Sequence, residues 1–186
     1  MKVRAIMSIV LVVMLLTSCA SGGTDMFENK KGTDTELADE QMDMILKAIY
    51  NQDTELFLTL FSPNALNAAQ CIENDIDALF SCCTGQYKQY NNWGGPYVED
   101  TRESGNRTTV IFGTYDVEIG GTTYRFAFKY IVRDTANSQN VGIWSLYVMS
   151  TEDDSELQFA YWGDGLYSPG LHIEIDSQID VSLPRN

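Results

Sequence analysis

The sequence predicts an α+β domain in which N-terminal helices pack on one face of a curved, mostly antiparallel meander sheet. Helical periodicity in the first half of the chain, period-two alternation in the second half and a glycine pair inside the longest alternating region all favour this class. Helices followed by strands are typical of a sheet that is covered on one side. With 186 residues, 44% of them hydrophobic, the chain can form the core of one domain.

Three helices are expected before residue 85. The first is predicted from a Thr33-Asp-Thr-Glu36 capping box to Asn51. Its apolar positions recur at helical spacing, and its charged residues then fall on the solvent-facing surface: Glu36, Asp39, Glu40, Asp43 and Lys47. A short second helix is predicted from Asp53 or Thr54 to Phe61, and a third from Ile72 to Cys83 with Gly85 as its C-terminal cap.

The central element of the sheet is a hairpin around Gly120-Gly121. Apolar and polar residues alternate strictly after this pair, so one face of the strand is expected to be buried. Folding about the loop predicts four pairs on the buried face: Val117 with Tyr124, Tyr115 with Phe126, Gly113 with Phe128 and Ile111 with Tyr130. The opposite face then receives Asp116 beside Arg125, which we expect to be an exposed ion pair that favours the same register.

Further strands are predicted on both sides of the hairpin. They cover 86–93, 97–103 and 141–149, and in the last of them Gly142, Trp144, Leu146 and Val148 are expected to face inward. Glu152-Asp-Asp154 indicates a solvated turn more than a calcium loop, because it lacks oxygens at alternate positions and a turn glycine. The aromatic segment 159–170 is expected to pack irregularly over the sheet edge or the mouth of the core, and residues past Asp176 are expected to fray.

The N-terminus has the pattern of a secretory signal. Lys2 and Arg4 precede an apolar run from Ile6 to Leu16, which is too short for a comfortable membrane span, and Leu16-Thr-Ser-Cys19 follows at once. This stretch resembles the lipobox of bacterial lipoproteins, which implies a lipid on Cys19 and cleavage before it; the alternative is an ordinary secretory signal. The expected division is 1–18 signal peptide, 19–34 tether, 35–173 α+β domain and 174–186 tail.

The net charge excludes some partners, and the cysteine positions limit the possible disulfides. Cleavage would leave 10 of the 12 basic residues against 26 acidic ones, a net charge of −16 that repels nucleic acid and anionic headgroups. The membrane is therefore an expected partner only through the N-terminal lipid, in an extracytoplasmic location.

Three cysteines would remain, Cys71, Cys82 and Cys83. Helical spacing puts Cys71 too far from Cys82 for a disulfide. Buried thiols are favoured over a redox or metal site.

Several segments resemble one bacterial lipoprotein family, the domain of unknown function 5104. They are Leu60-Phe-Ser-Pro-Asn-Ala65, the helix that closes at Gly85, Tyr124 with Phe128-Lys-Tyr-Ile131, and Asn140-Val-Gly-Ile-Trp-Ser-Leu146. The resemblance covers roughly Thr35 to Ile173 and implies a cystatin-like, nuclear-transport-factor-2-like cone. It carries over no catalytic residues.

No catalytic constellation, metal site or cofactor motif is predicted. The chain has one histidine, His172, and neither a nucleophile elbow nor a phosphate-binding loop. Aromatic side chains with polar tips are candidate walls of a pocket in the cone, although the interpretation that they simply form the core is favoured: Tyr115, Tyr124, Tyr130, Trp144, Tyr161 and Trp162. Two functions follow: a non-catalytic module that binds a small ligand or an envelope partner, or an enzyme with a general acid or base inside the cone. Because the alternation places no Asp, Glu or His on the aromatic wall, binding is favoured.

Overall fold

The computed structural model describes residues 30–69, 72–93, 95–151 and 166–174, without the side chains of 30–33 and Gln89. The chain divides into two units, Met1–Thr33 and Asp34–Asn186, and the second contains the domain described below. The helices are α1 (Lys30–Asn51), α2 (Thr54–Thr59), α3 (Pro63–Ala68) and α4 (Ile72–Cys82). None of the helices in these ranges is long and apolar enough to cross a membrane.

Six strands form one sheet. They are β1 (Tyr87–Asn91), β2 (Tyr97–Glu103), β3 (Asn106–Ile119), β4 (Thr122–Asp134), β5 (Gly142–Ser150) and β6 (Gly170–Glu174), with a 3₁₀ turn at Ser138–Asn140. Their order is β1-β3-β4-β5-β6, and β2 also pairs with β3. All pairs are antiparallel except β5 with β6, so the sheet is mixed as well as curled. Helices on such a sheet confirm the α+β class.

The predicted hairpin register is confirmed. Val117 lies opposite Tyr124, Tyr115 opposite Phe126, Gly113 opposite Phe128 and Ile111 opposite Tyr130. The loop requires its glycines, because φ is +61° at Gly120 and +98° at Gly121, a region that side chains with a Cβ rarely adopt.

The predicted start of the first helix was wrong. Helix α1 begins at Lys30, three residues before the Thr33-Glu36 motif, so that motif lies inside the helix and cannot cap it. Once the i→i−4 hydrogen-bond ladder continues upstream, the backbone N–H groups that a capping box would satisfy already have partners. The second predicted helix ends two residues earlier than expected, because α2 stops at Thr59. Ser62 then caps α3 by accepting a hydrogen bond from the N–H of Ala65 at 3.1 Å, in agreement with the Ser62-Pro63 sequence as the start of another turn.

A β-bulge overturns part of the predicted alternation in β5. Lys129 pairs with Ser145, but the next residue, Tyr130, pairs with Ile143, so Trp144 is an extra residue in β5. Ile143, Leu146 and Val148 face the helices as core residues, whereas Trp144 packs on the opposite side of the sheet. The expectation that Trp144 faces inward was therefore wrong, since a bulge reverses the side to which residues before it point.

Gly142 instead allows a helical segment to dock on the sheet. Its φ is +129°, and an added Cβ would lie 2.6 Å from the backbone nitrogen of Ser62. This close approach permits two backbone hydrogen bonds of 2.9 Å, from Ser62 N to Ile143 O and from Ile143 N to Leu60 O. The α2–α3 connection is thereby fixed along β5, and the helices close over one side of the sheet.

We call the side of the sheet against the helices the inner face and the opposite side the outer face. The inner face forms the main core with helical residues such as Met42, Ile45 and Leu79. The outer face carries a second, smaller cluster of Val110, Phe112 and Ile131, against which Trp144 and Tyr167 pack. Strand β6 was not predicted; Gly170–Glu174 pair with β5, and Tyr167 and Ser168 contact Trp144 and Tyr147 of that strand. Of the aromatic segment, 159–165 lie outside the described residues.

Candidate functional site

Two of the predicted wall residues, Tyr115 and Tyr124, belong to the main core. Tyr115 is 1% exposed, and its ring stacks on that of Phe128 with a centroid distance of 5.8 Å. Its hydroxyl donates to the Asp39 carboxylate at 2.9 Å, and the Tyr124 hydroxyl donates to the backbone oxygen of Cys82 at 3.1 Å. Both hydroxyls thus connect the sheet to a helix.

Asp39 corrects the expectation that no carboxylate meets the tyrosines. The helical pattern placed Asp39 on the solvent-facing surface of α1, but its side chain is half-buried and reaches the inner face at Tyr115. Burial, and then the hydrogen bond to Asp39, raise the pKa of Tyr115 above its ordinary value. Tyr115 therefore keeps its proton and acts as a donor.

Two further tyrosines lie at the border of the core. The Tyr90 ring meets that of Tyr115 edge to face at 5.2 Å, and burial together with Asp43 and Asp39 raises the pKa of Tyr90 to about 12. Tyr130 is half-buried, and burial followed by the nearby Glu40 carboxylate raises its pKa as well. The structure thus places Tyr130 beside the main core with Tyr115 and Tyr124, but puts Trp144 on the outer face; Tyr161 and Trp162 lie outside the described residues.

The outer face holds an aromatic and cationic group around Tyr167. The Tyr167 ring lies 5.1 Å from that of Phe112, and the Phe112 ring lies 5.8 Å from that of Tyr97. The Lys129 ammonium is 5.2 Å from the centre of the Tyr167 ring and 6.0 Å from that of Phe112. Both distances are within the range in which a cation is attracted to the face of an aromatic ring.

Ser145 faces a narrow gap beside this group. The gap leaves no room for a water molecule and is lined by Ala127, Phe128, Lys129, Ser145, Tyr147 and Tyr167. Ser145 is 1% exposed, and its hydroxyl has no hydrogen-bond partner among the described residues. A buried hydroxyl without a partner costs about 1–3 kcal/mol, so this position is unfavourable for folding. We call this space, with Lys129, Ser145, Phe112 and Tyr167 around it, the outer-face gap.

The segment Leu166–Gly170 lies over the outer-face gap. The Trp144 indole N–H donates to the Tyr167 carbonyl at 2.9 Å, and the Ser168 N–H donates to the Tyr147 hydroxyl at 3.0 Å. A third contact joins His172 Nε2 and the Ser168 carbonyl at 2.8 Å. Tyr167 itself has a φ of +53°, a left-handed conformation that is unusual for a residue other than glycine.

The other end of the outer face carries Asp116 and Arg125, whose predicted pairing is confirmed but whose predicted exposure was wrong. The Asp116 carboxylate accepts from Arg125 Nε and from the Trp93 indole N–H, each at 2.9 Å. The Arg125 guanidinium lies 4.1 Å from the centre of the Trp93 ring, and its side chain is only 8% exposed. Trp93 covers the pair, so these three residues stabilise the sheet.

Other features of the described residues share no residue with the outer-face gap. An open depression of about 260 Å³ is lined by Thr101, Glu103, Ser104, Asn106, Thr108, Asp134 and Ala136. Cys82 and Cys83 are thiols with sulfurs 3.7 Å apart; the hydrogen bond between them lowers the pKa of Cys82 and, with burial, raises that of Cys83. Cys71 and 152–154 lie outside the described ranges, and within those ranges no three His, Cys, Asp or Glu side chains could together hold a metal ion.

Sequence reasoning missed the outer-face gap because it assigned all apolar side chains of the hairpin to one face. The signal was present: Val110, Phe112 and Ile131 have the parity of Lys129, so the face opposite the predicted core also contains large apolar residues. The approach of Tyr167, in contrast, depends on the parallel pairing of β6 with β5, for which the sequence holds no local signal.

A comparison with protein families gives one match. A family model described as a domain of unknown function (DUF5104) matches residues 44–151, more than half of the chain. This range begins within α1 and extends past β5, so it includes Lys129 and Ser145. No curated protein matches the chain significantly. The chain belongs to the DUF5104 family.

Proposed function

We propose that this chain is a lipid-anchored extracytoplasmic protein that binds a small ligand or an envelope partner without chemical conversion. The lipobox-like Leu16-Thr-Ser-Cys19 supports the anchor at Cys19, and the acidic composition supports attachment by lipid instead of by a basic surface. Helices packed on one face of a curled sheet are consistent with a cone of the nuclear-transport-factor-2-like or cystatin-like type.

One observation carries the binding proposal: the outer-face gap contains polar groups that the fold leaves unused. The Ser145 hydroxyl is buried without a partner, and Lys129 has no carboxylate partner in the described part of the chain. Both groups lie among aromatic rings, which is the usual composition of a small-molecule site. The inner-face tyrosines already use their hydroxyls within the domain. The polar groups left for a partner are therefore those of the outer-face gap, and they favour a small ligand.

An enzyme with a general acid or base in the cone is the second candidate, favoured by the contact between Asp39 and Tyr115. A general base must come within hydrogen-bond reach of the proton that it removes. Tyr115 is 1% exposed and holds its proton tightly, so a substrate would have to meet Asp39 from the solvent side of α1. Binding without conversion is therefore the primary proposal.

The anchor is tested by metabolic labelling with palmitate in a bacterial host. Wild-type chain and a Cys71→Ala control should be labelled and sediment with membranes, whereas Cys19→Ala should lose both properties. Labelled Cys19→Ala protein would contradict the anchor.

The binding activity is tested by a ligand screen on the detergent-solubilised mature protein, read by thermal shift and tryptophan fluorescence. Each hit is then incubated with the protein and analysed for products. We expect ligands that raise the melting temperature and are recovered unchanged. Conversion of a hit that is lost in Asp39→Asn but retained in the exposed control Glu36→Gln would replace the binding proposal with the enzymatic one.

A further inference from the structure

The Tyr167 ring occupies a place that suits any planar aromatic ring. Phe112 meets it at a ring distance of 5.1 Å with an interplanar angle of 56°, and the Lys129 ammonium lies 5.2 Å from its centre. These contacts depend on the π-system and not on the tyrosine backbone, so an aromatic ring from another molecule could make them equally well.

Lys129 and Ser145 supply two hydrogen-bond donors for a carboxylate. They are direct cross-strand partners on β4 and β5, which places their Cβ atoms about 4.5–5.5 Å apart. One is an ammonium without a carboxylate partner and the other is a buried hydroxyl without a hydrogen-bond partner, in both cases among the described residues. A carboxylate has two acceptor oxygens and could accept a hydrogen bond from each of these donors.

Hydrogen bonds to the backbone hold the segment around Tyr167 on the sheet. Residue 167 holds a φ of +53°, and its carbonyl is fixed by Trp144 while the next N–H is fixed by Tyr147. The segment is therefore held by backbone contacts that do not involve the Tyr167 ring. Rotation of the side chain about its χ1 bond can remove the ring from the gap while these hydrogen bonds persist.

From this arrangement we infer that the outer-face gap binds an aryl carboxylate, a planar aromatic ring with a nearby carboxylate group, whose ring replaces that of Tyr167. The ligand ring packs on Phe112, and its carboxylate accepts hydrogen bonds from Lys129 and Ser145. Tyr167 is then an internal competitor that fills the site in the absence of ligand. This inference rests on the proposed function and specifies the ligand class for the same site.

The experiment is a calorimetric titration of the full mature protein at pH 7 with 4-hydroxyphenylacetate. Its neutral amide and acetate serve as probes that lack the charge and the ring, respectively. The carboxylate should bind at least tenfold more tightly than either, because a charge-assisted hydrogen bond is worth roughly tenfold or more in affinity.

Three variants assign the contacts. Lys129→Gln should weaken binding of the carboxylate by roughly tenfold and that of the amide by less, because the amide loses only the contact of the ammonium with its ring. The exposed control Lys88→Gln should bind like wild type. Tyr167→Ala should bind more tightly than wild type, because removing the internal ring raises the fraction of open sites. Melting temperatures verify that each variant is folded.

Equal binding of the amide and the carboxylate would overturn the ligand class, as would no binding of the carboxylate by wild type or Tyr167→Ala. Weaker binding to Tyr167→Ala would overturn the competitor role and make Tyr167 part of the wall. The proposed function is tested independently of the ligand class. It is retained if ligands of other chemistry from the screen bind less tightly to Lys129→Gln, and it is wrong if no compound binds.

Discussion

The inner face and the outer-face gap differ in how their polar groups are paired. On the inner face the hydroxyls of Tyr115 and Tyr124 donate to Asp39 and to the Cys82 carbonyl, so both hydroxyls contribute to the fold. On the outer face the Ser145 hydroxyl is buried without a partner beside Lys129. A group that lowers stability and is nevertheless buried needs an explanation outside folding. The difference indicates that the inner face maintains the structure and that the outer-face gap serves binding.

The faces also differ in how much apolar packing they contribute. Among the described residues, the inner face joins the four helices to the sheet in one large cluster, whereas the apolar cluster on the outer face has three buried members, Val110, Phe112 and Ile131. Truncation of a core aromatic residue leaves a cavity and costs about 3–5 kcal/mol, and the cost is smaller where neighbours can collapse into the space.

The largest expected effect compares Phe126→Ala with Phe112→Ala. Phe126 is 0% exposed within the main cluster and should lose about 3–5 kcal/mol of unfolding free energy. Phe112→Ala should lose about half as much, because its neighbour Tyr167 belongs to a chain segment that can shift into the space. Urea denaturation followed by circular dichroism measures both; equal losses would contradict the contrast between the faces.

A second prediction concerns the Asp116–Arg125 pair, which lies on the outer face but outside the outer-face gap. Asp116→Ala leaves Arg125 buried without its carboxylate and should cost about 2–3 kcal/mol, below the value for a fully buried pair because Asp116 is 22% exposed. The control is Glu118→Ala in the exposed pair with Lys88, which should cost less than about 1 kcal/mol. These are again urea unfolding measurements. A cost for Asp116→Ala as small as the control would mean that the pair is solvated.

A third and smaller effect concerns the Tyr115 hydroxyl. Tyr115→Phe removes the hydrogen bond to Asp39 and should lower the unfolding free energy by about 1.5–2 kcal/mol at pH 7, since the acceptor is charged. Tyr50→Phe is the matched control, because Tyr50 is 55% exposed and should change stability by less than about 0.5 kcal/mol. Equal unfolding midpoints for the two variants would remove Tyr115 from the inner-face network.

The same tyrosines predict a dependence of stability on alkaline pH. The pKa of Tyr90 in the folded state is raised to about 12, and that of Tyr115 is also raised. A raised pKa in the folded state means that the stabilisation is complete below about pH 10, the unfolded value, and is lost as the pH rises toward the folded value. Urea midpoints measured from pH 8 to 11 should fall above pH 10, and less steeply in Tyr115→Phe. A midpoint that is constant up to pH 11 would contradict this.

Local patterns predicted the hairpin because every signal there agreed. The glycine pair, the alternation and the Asp116–Arg125 pair all favoured one register, and the structure has it. The prediction of β5 was wrong at Trp144 because a single bulge reverses the side chains before it, and a bulge leaves little trace in alternation.

The contact of Asp39 with Tyr115 and the outer-face gap could not be predicted from the sequence, because each depends on a different tertiary contact. Asp39 reads as a surface residue of α1, and only the position of that helix over the sheet brings it to Tyr115. The alternation of β4 places Lys129 on the correct face. Each residue of β6, however, follows its partner in β5 by 25 positions, and this parallel pairing brings Tyr167 to Lys129 and Phe112. Such non-local contacts cannot be derived from the periodicity of one segment.

The most direct test of the difference between the faces is the unfolding free energy of Ser145→Ala at pH 7. The substitution removes a buried hydroxyl that has no partner, so the variant should be more stable than wild type by about 1 kcal/mol. Its affinity for an aryl carboxylate should fall at the same time, because one donor to the ligand is lost. A loss of stability of about 1 kcal/mol or more would show that the hydroxyl makes a hydrogen bond in the folded protein. The proposal that the outer-face gap serves binding would then be wrong.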